Sequence, residues 1–532
     1  MNWRYLMDNY KSQTTKTIFA GKMILCWRVA AVAFFVVAFF ASPCIAATLY
    51  MGPGQAYTNL HDAMAAMDSG DTLIIKDGVY TGSSNTIDGT HYPPDGSAGQ
   101  YTVVKAENEG GVLFDGERSH DMFDYPGLNS MRYVEFRGIK WGDPVSTNAV
   151  QLKYGEYVKF FRCAAFGEIP SGSSCWRIAW DGTNPSRYVL LEECYAWGGG
   201  RYKFTTYQSN HIIMRRCVAR YDYVTNTNEP KGAFNIYSSD YVKVQNCIAI
   251  DGDTSSSWDN TTEVNGAFLT SNNSLGSANV EYVGCIAINN DMKFGITSDD
   301  DYGYVDYNHC VGWDLDWRGE NALFRGADIN FDHCTFGNLH NAGSIYFSGW
   351  GSDNNSVKNT VFTDIPSVQV VSDSNGNRFE EICNNVFFDC DSFDAGTNAI
   401  TGVDPIDGTP GNGTAGLQYL LRIEDGSDLD GAASDGGDIG ATIMKRIGVS
   451  GSLWGETGYN DLTDDDLWPF PYSDQIWRDM RTYSDHGING ARGFCADGQD
   501  LTTYIWEYLG NTIPSGIVSP LAPPSNLTTA DN

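Results

Sequence analysis

Residues 238–253 read SSDYVKVQNCIAIDGD: a run alternating apolar and polar residues, an Asn–Cys pair at 246 and 247, and a second short apolar run that stops at Asp and Gly. Residues 208–223 (QSNHIIMRRCVARYDY) and 277–291 (SANVEYVGCIAINND) repeat that plan. Period-two alternation of β-branched and aromatic residues, broken by Gly, Asn and Asp, is the pattern of short strands. Cys163, Cys194, Cys217, Cys247, Cys285, Cys310 and Cys334 recur at intervals of 31, 23, 30, 38, 25 and 24, each just after such a strand. SVKNTVFTD, from Ser356, continues the series without a cysteine. Constant flanks at variable spacing mark one structural position repeated in stacked units, the signature of a solenoid. The cysteine acts there as a small, buried, weakly polar side chain at a corner. The seven are therefore expected reduced rather than paired, although thirteen cysteines in an exported chain would ordinarily indicate disulfides.

These coils resemble the right-handed parallel β-helix of pectate-lyase-like proteins. The stretch from Thr48, TLYMGPGQAYTNLHDAMAAMDSGDTLIIKDGVYTG, resembles the entry to that fold: a first strand, an amphipathic capping helix and a first full strand and turn. Leu60, Ala63, Met64 and Met67 share one face at helical spacing, as a cap over the open end of the core requires. LLRIEDGSDLDGAASDGGDIGA, Leu420–Ala441, resembles its closing segment. The resemblance spans residues 48–441 and concerns the fold; lyases, hydrolases, esterases and adhesins all use it.

The 532 residues hold 66 acids against 34 Lys plus Arg, a net charge of -32, which argues against nucleic acid as a partner. Met23–Ala47, MILCWRVAAVAFFVVAFFASPCIAA, reads as an export signal, so residues 1–47 are assigned to a signal peptide whose true start is Met1 or Met23. A retained anchor is the alternative, and Pro43 disfavours lipidation at Cys44. No later run is long and apolar enough to span a bilayer. The expected protein is secreted, periplasmic or on the cell surface, a monomer whose partner is an extracellular polysaccharide. Residues 442–513 form an aromatic-rich tail, with Trp454, Trp468, Trp477 and Trp506 expected to pack on the outside of the last coils; 514–532 read as linker.

Laid out by face, YVKVQN belongs to a second sheet and CIAID to a third, with the first sheet carried by AVQLK, RIAWD, KFTTY, AFNIY, AFLTS and GITSD, which begin at Ala149, Arg177, Lys203, Ala233, Ala267 and Gly295. If Val150, Ile178, Phe204, Phe234, Phe268 and Ile296 point inward, Arg177 and Lys203 stand outward on adjacent rungs, with Tyr207 two residues beyond Lys203. At a rung spacing of about 4.8 Å their repulsion favours neutral lysine, the form a general base needs. Lyases of this fold commonly use Lys or Arg to abstract the proton α to a uronate carboxylate. That likeness implies Lys203 as base, Arg177 with Arg201 or Arg220 as carboxylate partners, and Tyr207 as acid or stacking group. The loops add Lys231 and Trp258 as substrate contacts and Asp222, Glu229, Asp253, Asp259 and Glu263 as acids suited to Ca2+. Two alternatives stand beside the lyase: a glycoside hydrolase using Asp253, Asp259 and Glu263, and a surface protein that binds glycans without cleaving them. The eight histidines show no zinc spacing.

Overall fold

A computed structural model describes residues 46–517, except 171, 223–229, 254–265, 272–276, 278, 298–304, 317–323, 326–328, 341–344, 347–354, 366–378, 408–414 and 485–486. The signal-peptide assignment lies almost wholly outside the described residues. Among those described, no helix is long and apolar enough to cross a membrane.

Each complete coil gives one strand to each of three parallel sheets. Gly232–Tyr237 lies in the first sheet, Asp240–Gln245 in the second and Ile248–Gly252 in the third. Each pairs in register with its equivalent one coil on: Phe234 with Phe268, Val242 with Val280, Ile248 with Ile286. Among the described residues, the second and third sheets have 13 strands and the first has nine. The chain is a parallel β-helix. The alternating residues make one continuous core by stacking like on like, as in the column Phe204, Phe234 and Phe268, whose ring centroids are 5.0 and 5.4 Å apart. At its N-terminal end the short helix Leu60–Ala65 buries Leu60, Ala63 and Met64 in this core. Its N-cap is Asn59, whose side chain accepts from the Asp62 amide at 3.0 Å.

The corner between the second and third sheets explains the cysteine. The residue before each of the seven (Arg162, Glu193, Arg216, Asn246, Gly284, His309 and His333) is left-handed, with φ between 49° and 62°. Gly, Asn and His tolerate that region better than most residues, which accounts for QNC, VGC, NHC and DHC in the sequence. The thiol that follows sits between two main-chain carbonyls. Cys247 Sγ lies 3.4 Å from Met214 O of the preceding coil and 3.5 Å from Gln245 O of its own. Cys285, Cys310 and Cys334 repeat this at 3.2–3.7 Å. Later coils place Thr360 and Asn385 there, and each again donates to a carbonyl, Lys358 O or Val357 O, at 2.8 Å. The position thus selects a small side chain with a donor. All seven cysteines are free and buried, and burial pushes the thiols of Cys163, Cys285, Cys310 and Cys334 up.

The strand ladder ends at Ile400–Thr401. Leu420–Ala441 does not extend it; Leu420, Leu421, Leu429 and Ile439 pack with the tail on the outer face of the third sheet, against Ile248, Ile286, Val311 and Val361. Trp468 and Trp506 are buried in that layer, and Trp454 packs beside Leu190 and Ile213 on the second sheet.

Replacing Cys247 by Asp puts a charge into this dry column and is expected to cost about 3 kcal/mol or more. Cys247→Thr, the residue found at 360, should cost less. Urea unfolding followed by tryptophan fluorescence measures both, and an unchanged midpoint in Cys247→Asp would contradict the corner assignment.

Candidate functional site

The outer face of the first sheet carries a pocket of about 180 Å³. Strands Ser174–Ala179, Tyr202–Tyr207 and Gly232–Tyr237 build it, and their register puts Arg177, Thr205 and Asn235 on one outward row, with Ala179, Tyr207 and Tyr237 on the next. Arg201, at the entry to the middle strand, completes the wall with Tyr202. The guanidinium of Arg177 sits 4.7 Å above the Tyr207 ring, and Tyr207 stacks on Tyr237 at 4.9 Å with planes 3° apart. Beneath them runs a polar ladder: Asn235 Nδ2 donates to Thr205 Oγ1 at 2.8 Å and Ser271 Oγ donates to Asn235 Oδ1 at 3.0 Å. Two cations and three phenols therefore face one small concavity.

Burial holds Arg177 below its ordinary pKa, opposed by Tyr207 and Asp124, which leaves a guanidinium charged but partly stripped of water. Burial, reinforced by Tyr207, raises the phenol of Tyr237, while Arg201 acts in the opposite direction. A half-desolvated guanidinium beside phenol oxygens is suited to grip a carboxylate and to accompany proton transfer next to it.

Arg177, Arg201 and Tyr207 meet in this pocket as neighbours; Lys203 does not. The expected register was two residues out at Arg177. Trp176, not Ile178, lies between Val150 and Phe204, so the rung neighbour of Arg177 is Thr205. Ala179 precedes Tyr207 in its row, and Asp181 closes its own turn by accepting from the amides of Thr183 and Asn184. Lys203 is fully buried: its ammonium donates to Gly198 O and Gly199 O and lies 4.1 Å from the Tyr221 ring centroid. Gly198 and Gly200, at φ 90° and 96°, allow the turn whose carbonyls receive it. Burial lowers the Lys203 pKa, but a group that solvent cannot touch cannot reach a polymer, so Lys203 is a structural lysine and not the expected base.

Arg220 is also corrected. It is wholly buried and holds the tail, donating to Met480 O at 2.8 Å and Gly490 O at 3.1 Å while pairing with Asp222. Asp222 is in turn committed to Arg220, Arg492 and the Gly198 amide, which removes it as a calcium ligand. Lys231 is half-buried beside the Arg201 strand, where its amide donates to Arg201 O at 2.8 Å, and does not line the pocket. Asp253 is exposed, with its amide bonded to Tyr221 O. Trp258, Glu229, Asp259 and Glu263 lie outside the described residues. Sequence reasoning missed Thr205, Asn235 and Tyr202; the signal was present in small polar residues at outward positions of adjacent coils.

No family model and no curated protein sequence matches this chain. Among solved structures it is similar to pectate lyase Pel9A, with 17% identity, a TM-score of 0.43, and 74% of this chain and 95% of that one covered. An alginate lyase from Paenibacillus sp. str. FPU-7 gives 10% identity, a TM-score of 0.39, and coverage of 57% and 98%. A mannuronic acid specific polysaccharide family 6 lyase from human gut microbiota gives 10%, 0.38, and coverage of 68% and 92%. The likeness is one of coil architecture.

The corrected placement of Lys203 has a measurable consequence. Lys203→Ala leaves two carbonyls and a cavity in the corner and should cost about 2–4 kcal/mol. Arg177→Ala, at the pocket surface, should cost clearly less. Chemical denaturation of the two variants compares them, and equal stability of wild type and Lys203→Ala would contradict the buried corner.

Proposed function

We propose that this is an exported protein that cleaves an acidic, uronate-containing polysaccharide by β-elimination in the first-sheet pocket. The observation that carries the reading is the convergence of Arg177 and Arg201 with the stacked pair Tyr207 and Tyr237 in one groove. The guanidiniums bind the uronate carboxylate and offset the negative charge that builds on it as the α-proton leaves. Tyr207, beneath Arg177 and acting as the phenolate, takes that proton; the bond from the β-carbon to the glycosidic oxygen breaks, a carbon–carbon double bond forms, and Tyr237, acting as the neutral phenol, gives its proton to the departing oxygen. Tyr207 then returns its proton to water and Tyr237 regains one from water. The Thr205–Asn235–Ser271 ladder supplies hydroxyl and amide groups along the sheet for neighbouring sugar hydroxyls.

The test is a panel of polyuronates, among them alginate and polygalacturonate, followed by ultraviolet absorbance of the unsaturated product. Tyr207→Phe should lower the rate by about 10²–10⁴-fold, the usual contribution of a positioned proton-transfer group. Arg177→Ala should lower kcat/KM and lose its preference for charged over methyl-esterified polymer. Reducing ends without ultraviolet absorbance would replace the lyase by a hydrolase. Saturable binding with no cleavage of any polymer would leave a glycan-binding protein.

A further inference from the structure

A separate cluster of titratable side chains sits where the cap helix meets the first coils. His61 lies on the helix Leu60–Ala65, and Asp88 and His91 lie on the turn that follows Ile87. Helix and turn are already joined: His61 Nε2 is 3.1 Å from both the carbonyl and the hydroxyl oxygen of Thr86, and the Leu60 amide donates to Asn85 Oδ1 at 3.0 Å. Asp88 shapes the turn, its Oδ1 accepting from the amides of Thr90 at 2.7 Å and His91 at 2.9 Å. His91 Nδ1 lies 3.2 Å from both oxygens of the same carboxylate. The two imidazoles stack face to face, centroids 3.6 Å apart and planes 7° apart. One ligand atom from each of His61, Asp88 and His91 can be chosen so that all lie within 4.8 Å of one another.

The geometry points to a transition-metal site in which His61, His91 and Asp88 together take one divalent cation of the Zn2+ class. Imidazole nitrogen with a single carboxylate is a donor set for Zn2+, Ni2+ or Cu2+ rather than for Ca2+, which takes many oxygens. His61 has one nitrogen turned to Thr86, as metal-binding histidines turn to their outer-shell partners, and keeps the other for the ion, while His91 Nδ1 and the Asp88 carboxylate, already 3.2 Å apart, exchange their mutual contact for the ion. Zn–N bonds of about 2.0–2.1 Å put tetrahedral donors roughly 3.3 Å apart, so binding draws the cluster in by about an ångström as the rings turn out of their stack. All three residues are half-buried, which gives the ion a path from solvent. Water completes the coordination. The ion would clamp the cap helix to the turn and so close the N-terminal end of the core, a role independent of polysaccharide cleavage.

The experiment uses the untagged mature chain, stripped with EDTA, dialysed, and titrated with ZnCl2 by calorimetry alongside thermal unfolding. The expected result is a single saturable equivalent and a Tm that rises until that equivalent is filled. His61→Ala and His91→Ala should each weaken Zn2+ binding by more than about tenfold, the scale on which even outer-shell changes act. Loading with Co2+ should give visible d–d absorption that His91→Ala abolishes. Should His61→Ala fail to fold by circular dichroism, His91→Asn, on the turn, carries the same readouts. Absence of saturable binding in the wild type, or unchanged affinity in the double variant His61→Ala/His91→Ala, overturns the site.

Discussion

The stack depends on one backbone constraint: from Gly138 to Asn384, each coil leaves the second sheet and enters the third through a left-handed residue at the same place. Parallel strands in register allow no drift, because a shift of one residue turns every core side chain to solvent. The left-handed conformation costs a non-glycine residue about 1–2 kcal/mol, and the protein meets that cost in two ways. Toward the C-terminus it uses Asn246, Gly284, His309 and His333, which tolerate the conformation. Nearer the N-terminus it uses Arg162, Glu193 and Arg216, and here neighbours on the stack compensate each other: Glu193 accepts from Arg162 at 2.7 Å and from Arg216 at 3.2 Å. A strained position repeated coil after coil has become a ladder of alternating charge.

The same repetition made the core legible in the sequence and left parts of the site illegible. The corner is local: a left-handed residue, a small donor and an alternating strand lie within a few positions of each other, so the pattern QNC or NHC locates it. The first sheet is reached only after a loop whose length changes from coil to coil, so its register depends on contacts that no local pattern records. Counting inward residues from apolarity alone chose Ile178 where the ladder uses Trp176, and that slip of two residues put Lys203 beside Arg177. Ala149, Ala233 and Ala267, which alternation places outward, all belong to the buried core. Small residues occur in both settings, and alternation cannot separate them at the mouth of a strand.

Arg220 and Asp222 were illegible for a different reason. Their partners, Met480, Gly490 and Arg492, are some 260 residues away in sequence, at |i−j| values of 260, 270 and 270. Arg215 and Arg216 are similar: buried beside Glu192 and Glu193, they donate to Val449 O, Tyr459 O and Ile447 O of the tail. Burial pushes Arg215 down to about 10, against the pull of Glu192. Removing one partner of such a network leaves an unpaired buried charge, while a well-packed apolar replacement of the whole is often neutral. The arginines thus fix where the tail lies more than how strongly the apolar layer beneath it holds.

The same buried arginines shape the field outside the protein. Of 34 Lys and Arg, Arg215, Arg216 and Arg220 are buried and spent on carbonyls of the tail, and contribute little field outward. The net charge of -32 repels a polyanion at long range, but at physiological ionic strength that repulsion fades beyond about 8 Å. What decides binding is then the local field at the groove. Arg177 and Arg201 stand there against a floor of neutral Thr205, Asn235, Tyr207 and Tyr237, with no carboxylate among the lining residues. A half-desolvated guanidinium attracts a carboxylate more strongly than the same group on an open acidic surface. The tail packs on the third sheet and part of the second, and this cationic concavity lies on the first.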